Sequence, residues 1–245
     1  MSTDSSTVFK KDNLDLYLKE LAKEYKKLVG KKMPAEIVLI GGAAILESYG
    51  FRDMTTDIDA IISAASSMKD AINRVGDRFG LPNGWINADF QKTGSYSNKL
   101  LQYSSFYRTF NQALKVRIVT GEYLVAMKLR AFRQYKNDLS DVIGILAEHE
   151  GRGDPLTLER IEKAISELYG SWSEFPDGAR DFIINALNSG DYERVYAIVR
   201  RNEKDTKEQL IDFEDKYPEA LNEKNVNDVL AMLRARKNRS DNEHA

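Results

Sequence analysis

Residues 36–62 read EIVLIGGAAILESYGFRDMTTDIDAII, and this stretch decides the fold. Glu36 to Ile40 is a short apolar run after Pro34, which predicts a buried strand. Gly41-Gly42 makes a tight turn, and Ala43 to Tyr49 reads as a short helix closed by Gly50. Asp57 to Ile62 is a second strand, with Asp57 and Asp59 on one side and Ile58, Ala60 and Ile62 on the other. Two residues of strand separate the acidic Cα atoms by roughly 6.5–7 Å. Carboxylates so placed can converge on the same divalent ions, as a phosphoryl-transfer site requires. The glycines let backbone N–H groups approach phosphate at a helix N-terminus. Taken singly, Asp-x-Asp also occurs on surface strands, and a double glycine is also a plain strand-to-helix turn.

The pattern continues outward on both sides. Upstream, residues 1–11 read as a loose polar tail. Asn13 to Leu28 carries Leu14, Tyr17, Leu18, Leu21, Tyr25 and Leu28 at helical spacing, with Asp12 or Asn13 as cap and Gly30 as stop. Downstream, Met68 to Phe79 predicts a helix, and Gly80 to Asn98 a turn-rich segment anchored by Trp85 and Ile86. Tyr103 to Phe110 and Leu114 to Val119 predict a hairpin turning at Asn111-Gln112. Glu122 to Gln134 and Leu139 to Ala147 are helical. Beyond Gly151 only helices are expected: 158–168, 179–187, 192–200, 207–216 and 226–236, before a polar tail from Lys237. Gly151, Gly153 and Pro155 mark a boundary between residues 1–150 and a helical region, 151–245. The expected fold class is therefore α/β, a small mixed sheet followed by a helical C-terminal region.

Composition narrows the chemistry. The 245 residues include no cysteine, which excludes disulfides, thiolate metal sites and a cysteine nucleophile. Two histidines, His149 and His244, leave no multi-histidine zinc site. A metal must then rest on carboxylates, which select hard ions, magnesium or manganese. A net charge of −2 excludes a globally basic nucleic-acid binder but not a local basic patch. The polar start, Met1 to Asp12, is not a signal peptide, and no run reaches membrane-spanning length, so a cytoplasmic protein with no membrane partner is expected.

Ile40-Gly41-Gly42 followed by Arg52, Thr55, Thr56, Asp57 and Asp59 resembles the signature of the polymerase-β-like nucleotidyltransferase superfamily. Within it, the chain looks most like bacterial AbiEii-like nucleotidyltransferases, some of which are toxins of toxin–antitoxin pairs. A second segment carries the likeness: Lys128 on a helix, then Lys136-Asn137-Asp138-Leu139-Ser140-Asp141 opening the next. The likeness covers roughly residues 35–150. It implies transfer of a nucleoside monophosphate from a nucleoside triphosphate to an RNA or protein hydroxyl, with an antitoxin as partner. Asp57 and Asp59 would hold magnesium (or manganese), and Gly41 and Gly42 would cradle phosphate. Arg52, Thr55 and Thr56 would shape the nucleotide site. Lys128 would reach the triphosphate, with Asp138 and Asp141 orienting it or adding to the catalytic charge; a surface ion pair and a helix cap are the alternative readings of these three.

The chain departs from the superfamily on one strand. Many members place a third carboxylate there, whereas Leu114 to Val119 alternates Lys115 and Arg117. Either Asp138 or Asp141 supplies the missing acid, or the chain is a non-catalytic nucleotide- or partner-binding module on a nucleotidyltransferase scaffold. Other basic and aromatic groups are candidates for contact with a nucleic acid, namely Tyr96, Tyr103, Phe106, Tyr107 and Arg108, Arg200-Arg201, and Arg234 to Arg239. Core packing explains most of the aromatics without that, and basic clusters like these are more often solvated helix faces and tails.

Overall fold

The computed structural model describes residues 8–30, 33–222 and 225–243, with side chains as far as residue 235. Five strands form one mixed sheet: β1 (Ala35–Leu39), β2 (Ile58–Ser63), β3 (Ile86–Asn87), β4 (Ser104–Phe110) and β5 (Leu114–Val119). Their order is β3-β2-β1-β5-β4. The central strand β1 runs antiparallel to β2 and parallel to β5, with Leu39 opposite Ala60 on one side and Ile118 on the other. That strand has no solvent face, which explains its unbroken apolar sequence: Ile37, Val38 and Leu39 are all fully buried.

Helix α1 (Lys11–Val29) packs on α3 (Ser67–Phe79), and both lie outside the β-strand sequence that α2 (Gly41–Ser48) interrupts. A salt-bridge cluster joins the first two, with Glu24 within reach of Lys27, Arg74 and Arg78. The hydrogen bonds from Arg78, Lys27 and Arg74 hold the Glu24 carboxyl well below the usual range, at about 2. α4 (Gly121–Ala131) packs on α5 (Asp138–Gly151) and on α6 (Leu158–Tyr169). α7 (Ala179–Ser189) follows, and α8 (Tyr192–Lys216) lies along α5. α9 (Val226–Glu243) closes the described chain. Ile161, Ile165, Leu168 and Ile183 join the same apolar cluster as the sheet, so the core runs on past Gly151. No helix among the described residues is long and apolar enough to cross a membrane.

The hairpin turns where expected. Asn111 and Gln112 both adopt positive φ, 50° and 56°, as a two-residue turn between twisted strands demands. Asn111 is tied to α1 on both sides, donating to the Lys19 carbonyl and accepting on its own carbonyl from Lys26.

Four expectations are corrected. Residues 1–7 lie outside the described residues, but the rest of the expected tail is not loose. Phe9 is fully buried and exchanges two backbone hydrogen bonds with Thr55, at 2.7 and 2.9 Å. It sits against Tyr17 and Trp85. Helix α1 starts on Lys10 rather than Asp12 or Asn13; Asn13 instead reaches back to accept from the Lys10 N–H at 2.8 Å. The two helices expected over 192–200 and 207–216 are one, because residues 201–206 contain no breaker and bury Glu203 and Thr206 where apolar residues were sought. The polar tail from Lys237 continues α9 to Glu243, and the side chains of 236–239 and His244 lie outside the described ones.

Candidate functional site

The end of β1 and the start of β2 bring the double glycine and the acidic pair together. Ile40 donates its N–H to the Asp59 carbonyl at 3.1 Å. The glycines do not precede the helix but are its first residues, with Ile40 as cap. Gly41 takes φ 55°, which a side chain would strain, and a Cβ there would stand 3.4 Å from Asp59 Oδ2. The Asp59 carboxylate therefore lies against the first turn of α2, whose N–H groups have no partner inside the helix.

Strand β2 begins at Ile58, so Asp57 stands just before it and is exposed. The Thr55 hydroxyl bonds to the Asp57 backbone oxygen at 3.2 Å and lies 3.4 Å from its Oδ1. Thr55 is buried, held by Phe9, whereas Thr56 is exposed. Gly42 fills the narrow space beside Thr55: a Cβ there would fall 2.5 Å from Thr55 Oγ1 and 3.0 Å from an Arg52 nitrogen. Gly42→Ala is expected to cost about 1–3 kcal/mol of stability by overpacking. Urea denaturation checks this, and an unchanged midpoint would contradict it.

A buried ionic lattice backs the pair. Lys128 Nζ lies 2.8 Å from Asp138 Oδ1 and 2.9 Å from Asp141 Oδ2. Asp138, fully buried, also accepts from Arg133 Nε at 2.7 Å and from the Arg133 backbone N–H at 3.2 Å. Asp141 takes both its oxygens to Arg52 Nη1, at 2.8 and 2.6 Å. Burial pushes the Asp138 carboxyl up, but the Lys128 charge and the Arg133 hydrogen bond outweigh it and hold the group well below the usual carboxylate range. Burial opposes the charge on Lys128 too, and Asp138 and Asp141 override it, so its pKa is raised.

Asp59 behaves in the opposite way. Burial first, and then the neighbouring Asp57 charge, push its carboxyl up to about 6, against the pull of Lys128, Arg133 and Lys136. No hydrogen bond or ion pair engages its side chain among the described residues. The sign for stability follows from linkage. The unfolded chain releases this proton nearer 3.8, so folding loses stability as pH rises from there to about 6 and does not regain it above. Asp59→Asn is therefore expected to raise stability at pH 7.5 in a chelator by on the order of 1–2 kcal/mol, after solvent screening of a partly exposed group. At pH 4 the gain should vanish. Thermal unfolding at the two pH values decides it, and an equal shift at both would contradict the assignment.

The site gathers Gly41, Gly42, Arg52, Thr55, Asp57 and Asp59 on one side and Lys128, Asp138 and Asp141 on the other. The Lys128 side chain is 11% exposed and clasped by the two aspartates. Arg52 is engaged with Asp141. Asp138 and Asp141 are turned to Lys128, Arg133 and Arg52, and among the described residues no three carboxylates or histidines gather as they would around one ion. On β5, Lys115 pairs with Glu36 at 2.7 Å, and Arg117 donates to the Ser104 hydroxyl at 2.8 Å and to its carbonyl. Most of the aromatic candidates are occupied as well. Tyr107 donates to Asp15 and Glu47, Arg108 pairs with Asp15, and Tyr103 stacks on Tyr123, which leaves Phe106 exposed. His149, in the last turn of α5, meets the Tyr49 hydroxyl at 3.1 Å.

Two residues escaped the sequence reading. Arg133 sits in a stretch read as helix, but α4 ends at Ala131 and Phe132 turns the chain with φ 46°, aiming Arg133 back at Asp138. Glu203 on α8 reaches the start of α5, and nothing local in its sequence signals that.

A protein-family model described as "Nucleotidyltransferase of unknown function (DUF6036)" matches residues 17–150. That span includes every residue of the site, and Glu203 lies outside it. No curated protein and no solved structure matches the chain.

Proposed function

We propose, from the premise that the chain belongs to the family described as nucleotidyltransferase of unknown function (DUF6036), that it moves a nucleoside monophosphate from a nucleoside triphosphate to a hydroxyl of RNA or protein. The observation that carries this reading is the pair Asp57 and Asp59, the second of them against the glycine start of α2, with a buried ionic lattice behind it.

The donor set suits magnesium. Asp57 is exposed, and Asp59 has no protein partner among the described residues and a proton affinity raised by burial and then by its like-charged neighbour. Both are hard oxygen donors, and magnesium commonly takes one or two carboxylates and completes its shell with water and substrate phosphates. Bound there, the ion would neutralise the triphosphate and favour attack by the acceptor hydroxyl. The protein's own groups would bind and orient the nucleotide. Gly41 and Gly42 would offer the backbone N–H groups of the first turn of α2, and a side chain on Gly42 would press on Thr55 and Arg52. Lys128, Arg133 and Lys136 supply positive charge felt at Asp59. Arg52 and Thr55 wall the space beside Gly42.

The likeness to bacterial AbiEii-like proteins supports a finer reading, a toxin whose antitoxin is encoded nearby. The test is incubation with each labelled nucleoside triphosphate, magnesium, and total RNA or cell protein. Label should appear on one acceptor class. Magnesium-dependent binding of nucleotide with no label on either class would favour the binding-module reading, which the lack of a third carboxylate motivates.

A further inference from the structure

Glu203 lies on α8, outside the segment that the family shares, and its carboxyl is 3% exposed. Oε1 accepts from the backbone N–H groups of Leu139 at 2.9 Å and Ser140 at 3.1 Å, and Oε2 accepts from the Ser140 hydroxyl at 2.5 Å. These donors belong to the first turn of α5, where helix N–H groups lack partners of their own.

Helices commonly meet that need locally, with a side chain at the cap or an acid in the first turn. α5 does not. Asn137 stands at the cap and makes no capping hydrogen bond, while its side-chain oxygen is taken by Arg200 of α8. The two acids of the first turn, Asp138 and Asp141, point the other way, to Lys128, Arg133 and Arg52. The acids that would cap this helix are committed to the site, and α8 provides the acceptor instead. An apolar contact would have packed α8 on α5 without burying a carboxyl, at lower desolvation cost.

We propose that Glu203 is a positioning residue of the nucleotidyl-transfer site, through which the C-terminal helical region holds the start of α5 and thereby sets Asp138 and Asp141 against Lys128 and Arg52. This rests on the reading of the site given above. The chain of contacts is short: Glu203 to Ser140, the same helical turn to Asp138 and Asp141, and from these to the cations whose field falls on Asp59. Burial pushes the Glu203 carboxyl up to about 7, so a neutral amide of the same shape can serve in its place.

The experiment compares Glu203→Ala, Glu203→Gln and Leu210→Ala by two readouts. Hydrogen exchange of the amides of residues 138–142 reports the cap without any nucleotide. Magnesium-dependent binding of non-transferable analogues of the four nucleoside triphosphates reports the site. Leu210 is buried on the same helix in the separate cluster with Val226 and Leu230, so its truncation loosens α8 away from α5. Glu203→Ala is expected to speed exchange and weaken binding, each by about tenfold, because two N–H groups are left unpaired and the Ser140 hydroxyl keeps only the distant Asn137 carbonyl. Glu203→Gln should stay within about twofold of the parent on both. Leu210→Ala should leave binding unchanged. Should Glu203→Ala not fold, Glu203→Asp, which falls one methylene short, carries the same expectation. Faster exchange with unchanged binding, unchanged exchange, or equal weakening by Leu210→Ala would each overturn the proposal. Parent protein that binds no nucleotide would sink the site reading itself, and this proposal with it, even with the exchange effect intact.

Discussion

Asp138→Ala should be among the most destabilising single substitutions in the chain. It removes the acceptor shared by Lys128, by the Arg133 guanidinium and by the Arg133 backbone N–H, at a position with no exposed surface. Lys128 would keep Asp141, but Asp141 also serves Arg52. Breaking a buried pair from one side leaves uncompensated charge and typically costs about 3–5 kcal/mol. For a chain of this size that corresponds to a fall in Tm of about 10 °C. Asp138→Asn keeps part of the hydrogen bonding and should fall between the variant and the parent. A loss under about 1 kcal/mol by urea denaturation would show that the lattice is not the support described here.

The acidic pair should respond in the reverse manner. Asp59→Ala and Asp57→Ala are expected to lower nucleotidyl transfer by at least about 10³-fold, equivalent to about 4 kcal/mol of barrier. Neither should cost comparable stability, because Asp57 is exposed and Asp59 carries a desolvated charge with no protein partner among the described residues. Loss of activity with stability kept or raised is the signature of a group retained for ligand binding at the expense of folding. The two classes of variant thus separate the support from the chemistry. Measured transfer rates beside Tm values for the parent and for Asp138→Ala, Asp57→Ala and Asp59→Ala test it, and undiminished transfer in both carboxylate variants would remove the assignment.

The parts legible in the sequence are those with local periodicity. The unbroken apolar run of β1, the alternation through Ile58 and Ala60, and the apolar stripe of α1 each follow from neighbours in the chain. Asp57 and Asp59 stood out because a strand, two glycines and a short helix surround them. What was hidden depends on distant pairing. Phe9 is one aromatic in a polar stretch, and only Thr55, Tyr17 and Trp85 give it a place. α8 broke into two in the reading because its buried face uses Glu203 and Thr206. The burial of Lys128 with Asp138 and Asp141 is likewise invisible locally, since a lysine near two aspartates reads the same whether the trio is buried or exposed. Arg133 was hidden by a helix end one turn earlier than the apolar pattern suggested.

The most direct test of the site is a calorimetric titration of the parent protein with a non-transferable nucleoside triphosphate analogue, in magnesium and again in a chelator. Saturable binding in magnesium, lost in the chelator and lost again when Asp57 and Asp59 are both replaced by alanine, is the expected result. Binding that is indifferent to magnesium, or that survives replacement of both carboxylates, would contradict a metal-dependent nucleotide site at the start of β2.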